Sequence, residues 1–389
     1  MEETSRSQII SVGLAIFSMM FGAGNLMYPI VVGMTSGTLN IFGLSGFMIT
    51  AVFLPLIGVV AMILFDGDYK SFFYRLGDIP GFLLVLGCML VIGPVIALPR
   101  IVTLSHTMIS PFIPSISPLV FAIIFLAVTF LLSFRESKIV DILGKFISPV
   151  LLISLIIIIA KGFIYASTPI EASGTALNLF LDNIKRGYET MDLFAAIFFA
   201  SIILTLLKDA LGHATDVKSL KRLAVVGLKA GVIGTFLLGL IYTGLSYLGV
   251  YYGHGLMGIN AGELFRDVSL RVLGSGGAFI ISVAVLFACL STSIALAVVV
   301  GEYLQKEIFR NKIGFIPSLI ILMLLTIPLS MYGLKQVLIL TEGPILYVGY
   351  PVLMAITFLN IAYKWFNFKP IKIPVLIVAV TLIVKFYFF

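Results

Sequence analysis

Residues 9–34 read IISVGLAIFSMMFGAGNLMYPIVVGM, an uncharged run long enough to cross a bilayer as a helix. The helix is interrupted at Phe21-Gly22-Ala23-Gly24-Asn25, and Tyr28-Pro29 follows. Two glycines one residue apart weaken a helix, Asn25 adds a polar amide, and Pro29 removes a backbone donor. Lipid cannot satisfy backbone groups released at membrane depth, so something else must use them. The free N–H groups that open the second half-helix suit a carboxylate, and the free carbonyls that end the first half suit a cation. The plainer reading is a Gly-x-Gly notch where two helices pack closely. A notch needs neither Asn25 nor Pro29.

The rest of the chain continues this composition. Of 389 residues, 60% are hydrophobic and 11% charged, against about 25% charged in a soluble domain. A water-soluble fold cannot hide that much apolar surface, so it must face lipid. Cys88 and Cys289 lie far apart inside apolar runs and suggest no disulfide. Three scattered His make no metal cluster. The net charge of +7 comes from basic residues in short loops. That is a membrane-orientation pattern, with no bearing on nucleic acid or another acidic partner. Met1 to Ser7 lack a signal-peptide layout.

Eleven spans are predicted, at roughly 9–34, 40–65, 81–110, 118–134, 139–165, 190–207, 222–248, 274–303, 314–331, 333–360 and 371–388. With the N-terminus inside, sixteen Lys and Arg fall in inner loops, from Arg6 to Lys372, and seven on the outer side, from Lys161 to Lys385. Arg100 and Lys229 fall within spans. The bias sets the N-terminus in the cytoplasm. The expected fold is all-α and polytopic, one transmembrane domain over residues 1–389. Spans one to five (about 9–165) and six to ten (about 190–360) form two repeats of inverted topology, and 371–388 is an extra helix.

Four further places carry candidate chemistry. The sixth span begins Gly187-Tyr188-Glu189-Thr190-Met191-Asp192 and continues Phe198-Phe199-Ala200-Ser201. Asp192 is either an intramembrane ligand or an interfacial helix cap, and the span unwinds either at 190–192 or at 199–201. The eighth span holds Ala288-Cys289-Leu290-Ser291-Thr292-Ser293. Its hydroxyls suit a hard monovalent cation, or else they pack and bond to the preceding turn. In the third span Arg100 follows Gly93-Pro94 and Pro99. A structural or gating pair suits it better than direct substrate contact. Glu342, in the tenth span, is a second embedded acid and a candidate gate partner. No phosphate loop, His/Cys metal spacing or nucleophile elbow is present, so no enzyme is expected.

In these blocks the chain resembles the branched-chain amino acid carrier family (BrnQ, the leucine/isoleucine/valine:cation symporters). The matching blocks are Phe21 to Asn25 with Pro29; Gly93-Pro94 with Pro99-Arg100; Gly187-Tyr188 with Thr190 to Asp192; and Ala288 to Leu290 with Thr292. The resemblance implies a LeuT-like fold with discontinuous first and sixth helices. It implies import of leucine, isoleucine and valine across the bacterial inner membrane, with Na⁺ as coupling ion and no other cofactor. By analogy to that fold, Gly22, Ala23, Gly24, Asn25, Tyr188, Met191, Asp192 and Phe199 would line the substrate, its carboxylate on the Ala23 and Gly24 N–H groups. Carbonyls near Ser18 and Phe21 would face Na⁺, opposite Ser291, Thr292 or Ser293. Two departures stand out: eleven spans where the family usually has twelve, and Phe199-Ala200 where it tends to have Phe-Gly. The alternatives are a carrier for another apolar amino acid such as methionine, or H⁺ coupling.

Overall fold

A computed structural model describes residues 6–134, 148–200, 202–204, 217–256, 258–341 and 343–388. These residues are mainly helical, with no β-strand among them. Each of the eleven predicted stretches contains helix. Among the described residues, five continuous helical stretches are long and apolar enough to cross a bilayer, and six with one bent pair counted as a span.

The first predicted span is two helices, α1 (Arg6–Met20) and α2 (Ala23–Ser36). Between them Gly22 is extended, with φ −111° and ψ −162°. The second span is α3 (Asn40–Met48) and α4 (Leu54–Leu64), joined by a π-helical turn at Ile49–Phe53. A short helix α5 (Tyr69–Phe73) leads to the third span. That span is α6 (Asp78–Leu90) and α7 (Ala97–Ile109), kinked through Gly93-Pro94. Helices α8 (Pro118–Ser133) and α9 (Ser148–Ile164) complete the first half.

In the second half, amphipathic α10 (Ala176–Arg186) precedes the sixth span, whose described helix is α11 (Asp192–Phe198). Then come α12 (Val217–Tyr252), α13 (Ala261–Tyr303), α14 (Phe315–Met331), α15 (Leu334–Thr341), α16 (Pro344–Phe366) and α17 (Lys372–Phe388). The eighth span is longer than predicted, because α13 begins at Ala261 and kinks at Gly274, where φ is +71°. The predicted tenth span is divided. α14 and α15 meet at 108°, and α16 begins afresh at Pro344, because proline lacks the donor and disfavours helix in the residue before it.

Packing follows the small residues. A Cβ at Gly33 would overlap the Ser246 carbonyl, and one at Gly249 the Ile30 carbonyl. Backbones therefore approach closely where α2 crosses α12, as at many membrane helix interfaces. α2 packs on α12 and α11 on α4, while α7 packs on α13 and α8 on α14. Exchanging span n with span n+5 carries the first of these pairs onto the second and leaves the other two unchanged. At one end of the bundle α5 ties the spans together. Phe73 stacks on Phe198 at 5.8 Å, and Lys70 pairs with Glu307 at 2.7 Å. The breaks in the first and sixth spans are brought together inside this frame.

Candidate functional site

The site begins at the gap between α1 and α2. The Gly22 N–H donates to Asn25 Oδ1 at 3.0 Å, so the Asn25 side chain folds back over the start of its own helix. The next N–H groups of α2 have no acceptor within the helix. Gly24 faces the end of the turn before α11. A Cβ there would lie 3.1 Å from Thr190 Cα, 3.2 Å from the Glu189 carbonyl oxygen and 3.1 Å from Arg100 Nη2. Arg100 is 4% exposed. Its Nη1 donates to the Glu189 carbonyl at 2.6 Å, and its Nη2 to the Thr190 carbonyl at 3.4 Å. The interrupted first, third and sixth spans thus meet at one point.

Asp192 lies beside it and is 1% exposed. Met191 turns the chain just before it, in left-handed conformation with φ +65°. A non-glycine residue there is uncommon and costs energy, and such outliers gather at functional sites. Asn25 Nδ2 donates to both Asp192 oxygens at 2.8 Å. Tyr242, from α12, donates its hydroxyl to Asp192 Oδ2 at 2.9 Å and also accepts from Asn25 Nδ2. Asp192 is therefore buried in the bundle and bound to two other spans, which corrects the reading of it as an interfacial cap. A buried carboxylate held by neutral donors is ready to receive a cationic group such as an ammonium.

Below the gap, α1 ends against α13. Ser18 Oγ and Ser291 Oγ are 3.0 Å apart, and Ser291 Oγ also donates to the Ser18 carbonyl at 3.4 Å. Thr292 Oγ1 donates to the carbonyls of Phe21 at 3.2 Å and Ala288 at 3.3 Å. These are neutral carbonyl and hydroxyl oxygens from two helices. Among the described residues no His, Cys, Asp or Glu cluster of metal-binding size occurs. Such oxygens fit a hard monovalent cation and lack the carboxylates that a divalent one favours.

Other expected members fall elsewhere. Ser293 Oγ donates to the Leu290 carbonyl at 2.8 Å and lies 3.0 Å from Thr129 Oγ1 of α8, so it belongs to a helix contact. Tyr188 stacks on Tyr350 of α16, with ring centres 4.7 Å apart. Phe199 is fully buried at a second irregularity in the sixth span, about 10 Å along the helix from Asp192. Both stretches considered for unwinding are thus irregular as far as residue 200; Ser201 and Glu342 lie outside the described residues. Arg100 has backbone carbonyls for partners and no carboxylate within ion-pair distance among the described residues.

Sequence reasoning missed Tyr242 and Tyr350. Each lies in an apolar run that holds other tyrosines, Tyr247 and Tyr251 near the one and Tyr347 near the other, and no motif sets it apart. Tyr350 accepts from the Leu193 N–H and donates to the Thr50 carbonyl, both at 3.3 Å, and so braces the start of α11 against the π-helical turn of the second span. A buried tyrosine hydroxyl needs a partner, which is the one signal that marked both.

Comparison with known proteins bears on the family and the fold. The family described as branched-chain amino acid transport protein matches residues 5–387. The chain is 33% identical to the branched-chain amino acid permease BrnQ of Bacillus subtilis, covering 95% of this chain and 84% of that one. It is 31% identical to the permease BraB of the same organism, covering 92% and 80%. Among solved structures it is similar to a Na⁺-coupled sialic acid symporter, with TM-score 0.57, 13% identity and coverage of 97% and 90%. It is also similar to a nucleobase-cation-symport-1 family transporter, with TM-score 0.59, 15% identity and coverage of 97% and 91%. At such identities these structures speak for the fold alone, which is LeuT-like. The chain belongs to the branched-chain amino acid transport protein family, multi-pass membrane transporters and not enzymes.

Proposed function

We propose that this chain is a symporter that imports leucine, isoleucine and valine across the bacterial inner membrane by coupling to Na⁺, with its N-terminus in the cytoplasm. The observation that carries the reading is the meeting of three sets of groups at the first-span gap. The N–H groups of Ala23 and Gly24 and the Asp192 carboxylate stand on one side of Phe21-Gly22. The Ser18, Phe21, Ser291 and Thr292 oxygens stand on the other. A zwitterion has its carboxylate met by the helix start and its ammonium by Asp192. A sodium ion held at the end of α1 orders the same gap, so the two ligands favour each other's binding.

Uptake of labelled leucine into vesicles, with and without an inward Na⁺ gradient, tests the reading. Uptake that concentrates leucine only with the Na⁺ gradient supports it; equal uptake without Na⁺ refutes it. One observation favours a second reading, H⁺ coupling. Asp192 is a buried carboxylate held by uncharged donors, and such a group can carry a proton across a membrane. A pH gradient that drives uptake in Na⁺-free medium, and fails to do so in Asp192→Asn, would select it.

A further inference from the structure

Arg100 is a permanent cation inside the membrane domain, 4% exposed. Among the described residues its hydrogen-bond partners are two backbone carbonyls, and the Tyr28 ring centre lies 6.0 Å from its guanidinium carbon; none of these cancels its charge. A buried cation with no ion-paired partner is costly to keep. The embedded acid beside it, Asp192, has its oxygens bound to Asn25 and Tyr242, and no ion pair joins it to Arg100 among the described residues. The donors of Arg100 are also unevenly used. Nη1 is committed to the Glu189 carbonyl at 2.6 Å, while Nη2 holds a long contact of 3.4 Å to Thr190. Nε is buried and has no hydrogen-bond partner among the described residues. Nε–H and one Nη2–H form the side-on edge of a guanidinium, the edge that takes a carboxylate through two parallel bonds. Nη2 on that edge lies beside Gly24, in the first turn of α2, where the helix start also attracts an anion.

We propose that Arg100 binds the carboxylate of the transported amino acid directly, through its Nε and Nη2 edge, together with the first N–H groups of α2. The inference rests on the first-span gap being the substrate site and adds a specificity-determining residue to it. Arg100 and Asp192 then form a cation and an anion across one site, matching the two charges of a zwitterion. The apolar side chain supplies no charge to either. On substrate entry the weak Nη2 contact to Thr190 yields to the carboxylate, while Nη1 keeps the turn before α11 in place.

The test is competition against labelled leucine by leucine and by leucinamide, which keeps the ammonium and side chain but has no carboxylate. It is read on purified, full-length protein in Na⁺ buffer. Wild type should prefer leucine by about a hundredfold, the scale of discrimination when a paired buried charge loses its partner. Arg100→Gln should reduce that preference at least tenfold, mainly through weaker leucine binding. Arg100→Lys keeps the charge without the fork and should fall between. Equal binding of leucinamide and leucine by wild type would overturn the proposal without any variant, so a poorly folding Arg100→Gln protein leaves it decidable. A folded Arg100→Gln protein that keeps the wild-type preference would overturn it too, leaving Arg100 as a tether for residues 189–190. Gly24→Leu separates the underlying reading. If that variant binds leucine normally, the substrate site is elsewhere. If it does not, and Arg100→Gln keeps its preference, the site stands and Arg100 is not its carboxylate ligand.

Discussion

The first and third spans are both broken at glycine, and only the first break is chemical. In the first span the gap at Phe21-Gly22 is met by Asn25, Arg100, Asp192 and Thr292. In the third span Gly93-Pro94 interrupts the helix as sharply, with a π-helical turn and non-helical backbone at Gly93. There the neighbours are apolar. A Cβ at Gly93 would lie 3.1 Å from Val300 Cγ1 and 3.6 Å from Leu322 Cδ1. A helix break therefore makes a site only when polar groups from other spans converge on it. Where side chains of valine and leucine close the gap, the break bends the helix and, in this case, carries Arg100 towards the other one.

The contrast can be broken most directly at Gly24. A leucine there would collide with the Thr190 backbone and the Arg100 guanidinium. Leucine uptake by Gly24→Leu should fall more than about a hundredfold, since the backbone that approaches the substrate is displaced. Normal uptake by a well-expressed variant would place the site elsewhere.

A smaller effect is expected at Thr292. Thr292→Val keeps the shape and removes the oxygen that meets the Phe21 carbonyl. The Na⁺ concentration for half-maximal leucine uptake should rise about tenfold, equivalent to about 1.4 kcal/mol. Na⁺ should also improve leucine affinity less than in wild type, because linkage is reciprocal. Superimposable Na⁺ curves would remove Thr292 from the ion site.

At the apolar break, Gly93→Ala adds a methyl against Val300. Overpacking of this kind costs about 1–3 kcal/mol. A lower melting temperature is expected, with uptake per folded molecule within about threefold of wild type. A hundredfold loss would make the two breaks functionally alike and end the comparison.

The smallest change is expected at Ser293. Its hydroxyl pairs with Thr129 on α8, away from the end of α1. Ser293→Ala should leave the Na⁺ curve within about twofold, since one neutral buried hydrogen bond contributes about 1 kcal/mol to stability and none here to the ion. A tenfold shift would return Ser293 to the ion site and exclude the geometry described above.

The sequence alone was sufficient for several features, each for a local reason. An unbroken apolar run identifies a membrane helix, because lipid accepts little else. Gly22, Gly24, Asn25 and Pro29 marked the gap in the first span, because backbone conformation and missing donors are properties of the residues themselves. Ser291 and Thr292 were legible as oxygen donors for the same reason. What needed the tertiary structure was every question of direction and partner. A run of three hydroxyls cannot show that Thr292 turns to Phe21 while Ser293 turns to Thr129, since that depends on which helices flank α13. Asp192 looks like a cap from its place at the start of a span. Only the fold buries it beside Asn25 and Tyr242, residues 167 and 50 positions away. Arg100 needed the fold most. Its charge was plain in the sequence, but only packing could give it two carbonyls and, among the described residues, no paired acid, with Nε lacking a hydrogen-bond partner and Nη2 beside Gly24.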